Sequence, residues 1–227
     1  MAPDAPSDSA AEGEAGAELP DVTRLLSLSD GVVAIALTLL VLQLKVPTLS
    51  AGAATSASAL ASALSSESQR FLSYLVSFYV IAQFWLAHHR VFRHVSGHHE
   101  GLAWWNFAFL FTITIMPFSS DLLGENAGNP LVVDIFALNL LLATLSTQAV
   151  IVYGRRRHLL LPTATGAAIR ATRARVSAVV ASLLLSMALA WVNTTVAKYC
   201  WILIAVSPWA ATRWQARRDR MAAAAPT

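Results

Sequence analysis

The feature that most constrains this chain is a long apolar stretch near its amino terminus that contains a single carboxylate. Twenty residues run from Leu25 to Leu44, and Asp30 is the only ionisable side chain among them. At about 1.5 Å per residue, a helix of this length is roughly 30 Å long, which matches the hydrocarbon core of a bilayer. A carboxylate at that depth is costly unless it has a polar partner. The stretch therefore predicts a membrane-spanning helix whose acid faces polar groups of the same protein.

The rest of the chain repeats the apolar pattern. Hydrophobic residues make up 56% of the sequence and charged residues only 13%, which is too apolar for a typical soluble domain. We therefore expect an all-α, polytopic membrane protein with six transmembrane helices. The predicted spans are residues 25–45, 71–92, 102–122, 131–153, 175–193 and 196–212.

Three regions are predicted along the chain. Residues 1–21 hold six acids and no aromatic residue, so we expect a disordered acidic tail. Residues 22–213 form the six-helix membrane domain, in which the Ala- and Ser-rich segment 48–69 is too polar to span and predicts short helices on the outer face. Residues 214–227 form a basic, Ala-rich tail.

The distribution of Lys and Arg predicts the orientation. With the amino terminus in the cytoplasm, thirteen of these residues lie on the inner side and three on the outer side. Positive residues accumulate on the cytoplasmic side of membrane proteins, so both termini are expected in the cytoplasm and the protein in the plasma membrane. The net charge of +3 therefore needs no nucleic-acid partner. The arginines beside the spans primarily set the orientation, and binding of anionic lipid is a less favoured additional role; membrane lipids are expected partners of the protein as a whole.

The first predicted helix has two different sides. On a helical wheel, Ile35, Leu39 and Leu42 share one stripe with Thr38 beside it, whereas Asp30 points nearly the opposite way. The stripe could face lipid, another helix or a narrow conduit, and its spacing does not choose among them. Asn106, at the same depth on the third span, is a candidate hydrogen-bond partner for Asp30.

Two motifs resemble the transmembrane protein 175 family, the endolysosomal and prokaryotic potassium channels. That family's first helix carries R-x-x-x-F-S-D followed by Gly. Arg24, Ser29 and Asp30 match it, and Leu28 stands where the family has Phe. The second motif, N-x-x-x-L followed by P-F, is matched from Asn106 to Phe118.

The resemblance implies a homotetrameric channel that conducts potassium through a central pore lined by the first helix, without a TVGYG filter. Hydrophobic constrictions would be formed by Ile35, Leu39 and Leu42, with the Thr38 hydroxyl meeting the ion. No cofactor and no bound metal is expected, only permeant potassium.

The same resemblance implies structural roles for the polar residues around the first helix. Arg24, Leu28, Ser29 and Asp30 would tie the pore helix to the second and third spans. By resemblance to the family's second helix, Trp85 with either His88 or His89 is the candidate partner of Asp30 or Ser29; the sequence leaves the choice of histidine open.

The sequence also allows other functions. Asp30 with His88 or His89 could be the relay of a proton-coupled transporter or a proton pathway, or the chain could be a scaffold that conducts nothing. His94 and His98 have metal-ligand spacing but lack a supporting acid or cysteine set. Outer acids could attract cations, although solvated loop charge is the simpler explanation; they are Asp121, Glu125 and Asp134. No nucleotide loop, HExxH or nucleophile elbow is present, so we expect no enzyme.

Overall fold

The computed structural model is built from helices throughout the described part of the chain, which comprises residues 20–50, 52, 56–95, 99–161 and 166–201. For residues 20, 21, 166–171, 173 and 174 only the backbone is described. The helices are α1 (Pro20–Leu39), which continues as a 3₁₀ turn (Leu40–Gln43), α2 (Ala57–Ser66), α3 (Ser68–Phe92), α4 (Glu100–Glu125), α5 (Pro130–Arg156) and α6 (Gly166–Ala190). Residues 194–201 are also helical.

Among the described residues, four helices are long and apolar enough to cross a membrane, and they correspond to the first four predicted spans. They cover Val22–Gln43, Ser68–Phe92, Glu100–Glu125 and Pro130–Arg156. The fifth predicted span corresponds to the apolar part of α6, Arg175–Ala190. Most of the sixth, residues 202–212, lies outside the described residues, as do residues 1–19 and the carboxyl-terminal tail. The protein is a multi-pass membrane protein, and the count of six spans stays a prediction.

Two helix boundaries differ from the prediction. The structure begins α1 at Pro20, inside the predicted tail, and proline is favoured at the first position of a helix. At its other end α1 tightens into the 3₁₀ turn instead of remaining α-helical to Leu44. The prediction of short helices between the first two spans is confirmed by α2, which Ser56 caps by accepting a hydrogen bond from the Ala59 amide at 3.3 Å.

The helix α4 lies at the centre of the packing and contacts α1, α3 and α5, while α6 packs on α5. Its buried side meets its neighbours mainly through large apolar side chains, with a few polar residues between them. The most completely buried of these are Phe109, Ile113 and Met116, together with Val133 and Phe136 of α5. This core fixes the position of α4, and α4 in turn provides the surface on which α1 docks.

Buried polar side chains join α4 to α3 and α5. Asn139 of α5 donates from Nδ2 to the Thr112 carbonyl of α4 at 3.1 Å. On the other side, the Ser77 hydroxyl donates to the Ser120 hydroxyl at 2.7 Å, and Ser73 donates to the Ser120 carbonyl, also at 2.7 Å. Small residues with hydroxyls or amides let spanning helices approach closely and bond across their interface.

The polar side chains of α5 bond in two different ways. Asn139 bonds across to α4. Three hydroxyls instead donate to carbonyls four residues earlier in their own helix, at 2.8 to 2.9 Å; they belong to Thr144, Ser146 and Thr147. Because a Ser or Thr hydroxyl can satisfy itself on its own helix, its presence in a span does not require a neighbour.

Candidate pore helix and its two anchors

The first span presents one side to its own chain and the other side away from it. The buried side, which contacts α3 and α4, consists of Ser29, Val33, Ala36, Leu40 and Gln43. The opposite side carries the predicted stripe, where the exposed fractions are 60% for Ile35, 44% for Leu39 and 74% for Leu42. In a 3₁₀ turn side chains three residues apart lie directly above one another, so Leu42 stays in line with Leu39. The stripe therefore forms a continuous bare surface on the isolated chain.

Thr38 lies on the same exposed side. Its hydroxyl donates to the Ile35 carbonyl at 2.8 Å. Because the hydroxyl proton is engaged by its own helix, the lone pairs of the Thr38 oxygen face outward, where they can accept a hydrogen bond or meet a cation.

The amino-terminal half of the span is held by a fully buried chain of hydrogen bonds. Nε2 of His88, in α3, lies 2.6 Å from Oδ1 of Asn106. Asn106 in turn donates from Nδ2 to the Ser29 hydroxyl at 3.0 Å. The Ser29 hydroxyl in turn donates a hydrogen bond to the Leu25 carbonyl at 2.8 Å. Since an amide oxygen only accepts, His88 must carry its proton on Nε2. The hydrogen bonds then run in one direction: His88 of α3 donates to Asn106 of α4, and Asn106 donates to Ser29 of α1.

The His88 ring is fixed by packing as well as by its hydrogen bond. It stacks on Phe109 with ring centroids 4.7 Å apart and an angle of 16° between the planes, and Phe92 covers it at 4.5 Å. Its other nitrogen, Nδ1, is buried without a hydrogen-bond partner. The His88 ring is therefore held by packing on two aromatic rings and by one hydrogen bond.

Asp30 is held separately, at the edge of the same site. Its Oδ1 accepts from Trp85 Nε1 at 2.8 Å and lies 2.7 Å from His89 Nε2. The rings of Trp85 and His89 meet edge to face, with centroids 4.6 Å apart. The Asp30 side chain is 45% exposed, so its own chain encloses it less than the sequence suggested. The reason is that Asp30 contacts α3 at the edge of the buried face of α1 and not within that face. We call Ser29, Asp30, Trp85, His88, His89 and Asn106 the N-terminal anchor.

The structure resolves the two choices that the sequence left open. Asp30 pairs with His89 and Trp85, while His88 belongs to the Asn106 chain. The predicted hydrogen bond between Asn106 and Asp30 is wrong: Asn106 lies against Ser29, one position earlier on α1, since Ser29 faces α4 and Asp30 faces α3. The remaining motif residues, Arg24 and Leu28, are exposed, and Arg24 makes no ion pair within the described residues.

The other end of the span is held by a second set of contacts, the C-terminal anchor, which consists of Gln43, Lys45, Glu67, Arg70, Pro117 and Glu125. Gln43 is buried and donates to the Pro117 carbonyl of α4 at 2.6 Å. Glu125 forms ion pairs with Lys45 at 2.5 Å and with Arg70 at 3.1 Å, and Arg70 also forms an ion pair with Glu67. We did not predict this anchor. The one amide near the end of an otherwise apolar span was the signal for Gln43.

The outer acids do not form a free negative rim. Glu125 is neutralised by its two cations, and Asp134 accepts a hydrogen bond from Trp191 at 2.8 Å. Asp121 makes no ion pair or hydrogen bond within the described residues. Where placement is described, the structure holds no group of three side chains suited to a metal ion. His98 lies outside the described residues, and Nδ1 of His99 is 2.7 Å from the hydroxyl of Tyr153.

Comparison with known proteins defines the family. The family model described as the endosomal/lysosomal potassium channel TMEM175 matches residues 24–117, which include both anchors apart from Glu125. A potassium channel of Chamaesiphon minutus is 37% identical over 113 residues, which cover 50% of this chain and 54% of the relative. A potassium channel of Streptomyces collinus is 32% identical over 157 residues, covering 67% of this chain and 74% of the relative.

A third relative, a potassium channel of a Chryseobacterium species, is 36% identical over 109 residues, covering 47% of this chain and 52% of the relative. The matched stretch thus spans about half the length of the Chamaesiphon and Chryseobacterium relatives. The crystal structure of a lysosomal potassium-selective channel TMEM175 homolog from Chamaesiphon minutus superposes with a TM-score of 0.68 at 26% identity, over 82% of this chain and 95% of that one.

The described fold is that of a multi-pass α-helical membrane protein, and the relatives that it matches are named potassium channels, a class without enzymatic activity. The chain belongs to the TMEM175 family.

Proposed function

We propose that this protein is a potassium-permeable channel that conducts passively through a pore lined by the first spans of several copies. The observation that carries the proposal is the contrast between the two sides of α1. One side is fastened to α3 and α4 through Ser29 and Asp30, while the apolar stripe remains bare. A helix fixed in this way holds its stripe in a constant orientation, which a pore wall requires.

In this proposal Ile35, Leu39 and Leu42 form successive hydrophobic constrictions around the pore axis. Rings of aliphatic side chains gate by excluding water, so a small widening admits hydrated ions and a small narrowing stops them. The outward lone pairs of Thr38 supply an oxygen ring to a partly dehydrated potassium ion. Arg24, Leu28, Ser29 and Asp30, with Trp85, His88, His89 and Asn106, maintain the helix and do not touch the ion.

One span per chain cannot enclose a conduit, so several copies must assemble. We propose a homotetramer, by resemblance to family members with a single copy of the signature, because closed symmetry places the same stripe of every copy at a common axis. The distribution of Lys and Arg supports a plasma-membrane protein with both termini in the cytoplasm. A mass measurement of the detergent-solubilised particle is expected to give four copies of the 24.3-kDa chain; a monomer or dimer would exclude the central pore.

Flux through proteoliposomes tests the activity. Vesicles loaded with potassium chloride and diluted into a salt of an impermeant cation develop a negative interior if the protein conducts potassium. Adding a protonophore then admits protons, which a pH-sensitive dye reports. We expect a dye response only when both the protein and the protonophore are present. A lack of response with correctly folded protein would reject the channel.

The Asp30 and His89 contact supports a second candidate, a proton-coupled transporter. The pair lies at 2.7 Å, and the carboxylate is partly exposed, as a relay group must be. The same assay separates the two functions. A coupled transporter acidifies or alkalinises the vesicles without the protonophore, whereas a passive potassium channel does not.

A further inference from the structure

One histidine joins the start of α4 to the end of α5. His99 is the N-cap residue of α4, and its ring nitrogen Nδ1 accepts a hydrogen bond from the Gly101 amide at 3.2 Å. The same nitrogen lies 2.7 Å from the Tyr153 hydroxyl, and the two rings meet edge to face with centroids 5.3 Å apart. A backbone amide can only donate, so Nδ1 carries no proton in this structure and the Tyr153 hydroxyl donates to it. We call His99, Gly101 and Tyr153 the latch.

Gly101 lets the Tyr153 ring lie directly on the first turn of α4. A Cβ atom at position 101 would stand 2.3 Å from the end of the tyrosine side chain, so any larger residue would push the ring away. The ring keeps this position only while the first turn of α4 stays wound, because its contact there is with backbone. The hydrogen bond from Gly101 to His99 holds that turn, as an N-cap does. The position of Tyr153 therefore depends on the cap.

Tyr153 also connects the latch to the beginning of α1. Its side chain packs against a buried apolar cluster that consists of Val91, Phe92, Val95, Leu102 and Val150. Three residues of the first turns of α1 pack against the same cluster; they are Val22, Leu25 and Leu26. A displaced Tyr153 ring therefore removes part of the support on which the start of α1 rests.

Protonation of His99 is incompatible with the cap. Histidine side chains change their charge between about pH 5 and pH 8. A protonated ring carries a hydrogen on Nδ1 as well as on Nε2, so Nδ1 can no longer accept from the Gly101 amide. The Tyr153 hydroxyl can reverse its role and accept, whereas the amide cannot. The positive ring would also stand at the positive end of the α4 dipole.

The other charged and titratable groups at these helix ends are exposed. They are Arg93 and His94 at the end of α3, Glu100 of α4, and Arg155, Arg156, Arg157 and His158 at the end of α5. The guanidinium carbon of Arg157 lies 5.8 Å from the centre of the Tyr153 ring, which adds a positive charge on the α5 side of the latch. Glu100 forms no ion pair within the described residues, and water screens so exposed a carboxylate. These surroundings do little to hold a protonated ring in place.

We propose that His99, Gly101 and Tyr153 form a pH-sensitive latch, which a neutral His99 keeps closed and which acidification on this side of the membrane opens, loosening the start of α1. In the orientation proposed above, this side is the cytoplasm. The consequence for a pore lined by α1 rests on the proposed function, whereas the opening and closing of the latch do not.

Hydrogen–deuterium exchange of the full-length protein in detergent tests the latch. The measured quantity is the protection factor, which is the exchange rate of an unstructured peptide at the same pH divided by the measured rate. We expect the protection factor in the first turn of α4 to fall roughly fivefold between about pH 8 and about pH 5.5, the loss typical of a removed N-cap. The amides at the start of α1 should lose protection over the same pH range.

His99→Asn separates the latch from the other titratable groups. An asparagine side chain accepts from the Gly101 amide but does not titrate, so both segments should stay protected at either pH. His99→Ala should be poorly protected at both. The matched control is His94→Asn, which removes an exposed histidine at the end of α3 and should keep the pH response of the wild type.

A wild-type protection factor that does not change with pH would overturn the latch, and so would a His99→Asn protein with the pH response of the wild type. A pH response in α4 without one in α1 would overturn the coupling to the first span. If His99→Asn does not fold, His99→Asp takes its place, because aspartate is an equally good N-cap and stays ionised over this pH range.

Discussion

The two anchors of the first span hold the same helix by opposite means. The centre of the N-terminal anchor, which is Ser29, His88 and Asn106, consists of neutral buried groups joined by hydrogen bonds, with His88 packed against two aromatic rings. The C-terminal anchor relies on partly exposed ion pairs, whose side chains range from 21% exposed at Arg70 to 59% at Lys45, with Gln43 as its buried member. The first is difficult to open because an opened group loses all of its hydrogen bonds, whereas the second exchanges protein partners for water at little cost.

This difference indicates where the first span is rigid and where it can move. The buried chain around Asn106 fixes the helix near Ser29, and the exposed pairs around Glu125 leave the other end responsive to salt. The bare stripe between the anchors contributes to neither. Substitutions should therefore separate into four levels, three of decreasing stability loss and one without loss, and the predictions below follow that order.

The largest loss is expected for Asn106→Ala. The substitution leaves the Nε2 proton of His88 and the Ser29 hydroxyl oxygen without partners in a place that water does not reach, at a cost of about 3 kcal/mol. The measurement is the fraction of purified protein that survives heating as a monodisperse particle. Asn126→Ala is the matched control, because Asn126 is exposed at the end of the same helix. Equal survival of the two variants would contradict the rigid character of the N-terminal anchor.

A smaller loss is expected for Asp30→Ala. Trp85 and His89 lose their acceptor, but both can turn to water, so the cost is about 1 kcal/mol. Asp30→Asn should recover part of this stability because its amide oxygen still accepts from Trp85. Asp121→Ala, which removes an acid without a partner in the described chain, is the control. A stable, well-assembled Asp30→Ala protein with a changed preference between potassium and sodium would move Asp30 from an anchoring role into ion selection.

A still smaller effect is expected for Lys45→Ala, which removes one exposed member of the C-terminal anchor. Glu125 keeps Arg70, so the thermal survival of the variant should fall slightly at low salt and match the wild type at high salt, where the pair is already screened. A salt-independent loss would show that Lys45 contributes through packing.

No stability loss is expected for Ile35→Asn, and this separates the bare stripe from both anchors. The amide should admit water to the proposed constriction and raise potassium flux in proteoliposomes. Leu138→Asn, at an exposed aliphatic position of α5, is the control and should leave flux unchanged. Unchanged flux in the Ile35 variant would remove Ile35 from the pore.

The apolar blocks predicted the first four spans, because about 20 apolar residues are needed to cross a bilayer. The neighbours of Asp30 came from the family resemblance, which gave Trp85 and one of two histidines; depth in the membrane alone favoured Asn106, which was wrong. The choice between His88 and His89 was beyond the sequence, because adjacent residues on a helix point about 100° apart and nothing in the pattern fixes the rotation of α3 about its own axis. The structure fixes that rotation through the stacking of His88 on Phe109.

The same limit explains the error at Asn106 and the missed C-terminal anchor. Ser29 and Asp30 are adjacent, so a helix wheel predicts that they face different neighbours but does not say which neighbour is α4. The Gln43 contact depends on the Pro117 carbonyl, a backbone atom that leaves no signature in the sequence. Depth in the membrane therefore narrowed the partners of Asn106 to two adjacent side chains without choosing between them, and a contact to a backbone carbonyl was not predictable.

The buried link between Ser29 and Asn106 joins residues 77 positions apart, and the link between Asp30 and Trp85 joins residues 55 positions apart. The ribosome releases the first span long before it has made either partner, so that span must enter the bilayer on its own apolarity, with Ser29 bonded only to its own helix and Asp30 without its partners from α3. The order of synthesis then sets the order in which these hydrogen bonds form, since α3 supplies the donors for Asp30 before α4 supplies the amide for Ser29. The last bond to form in this sequence is also the one whose loss costs the most.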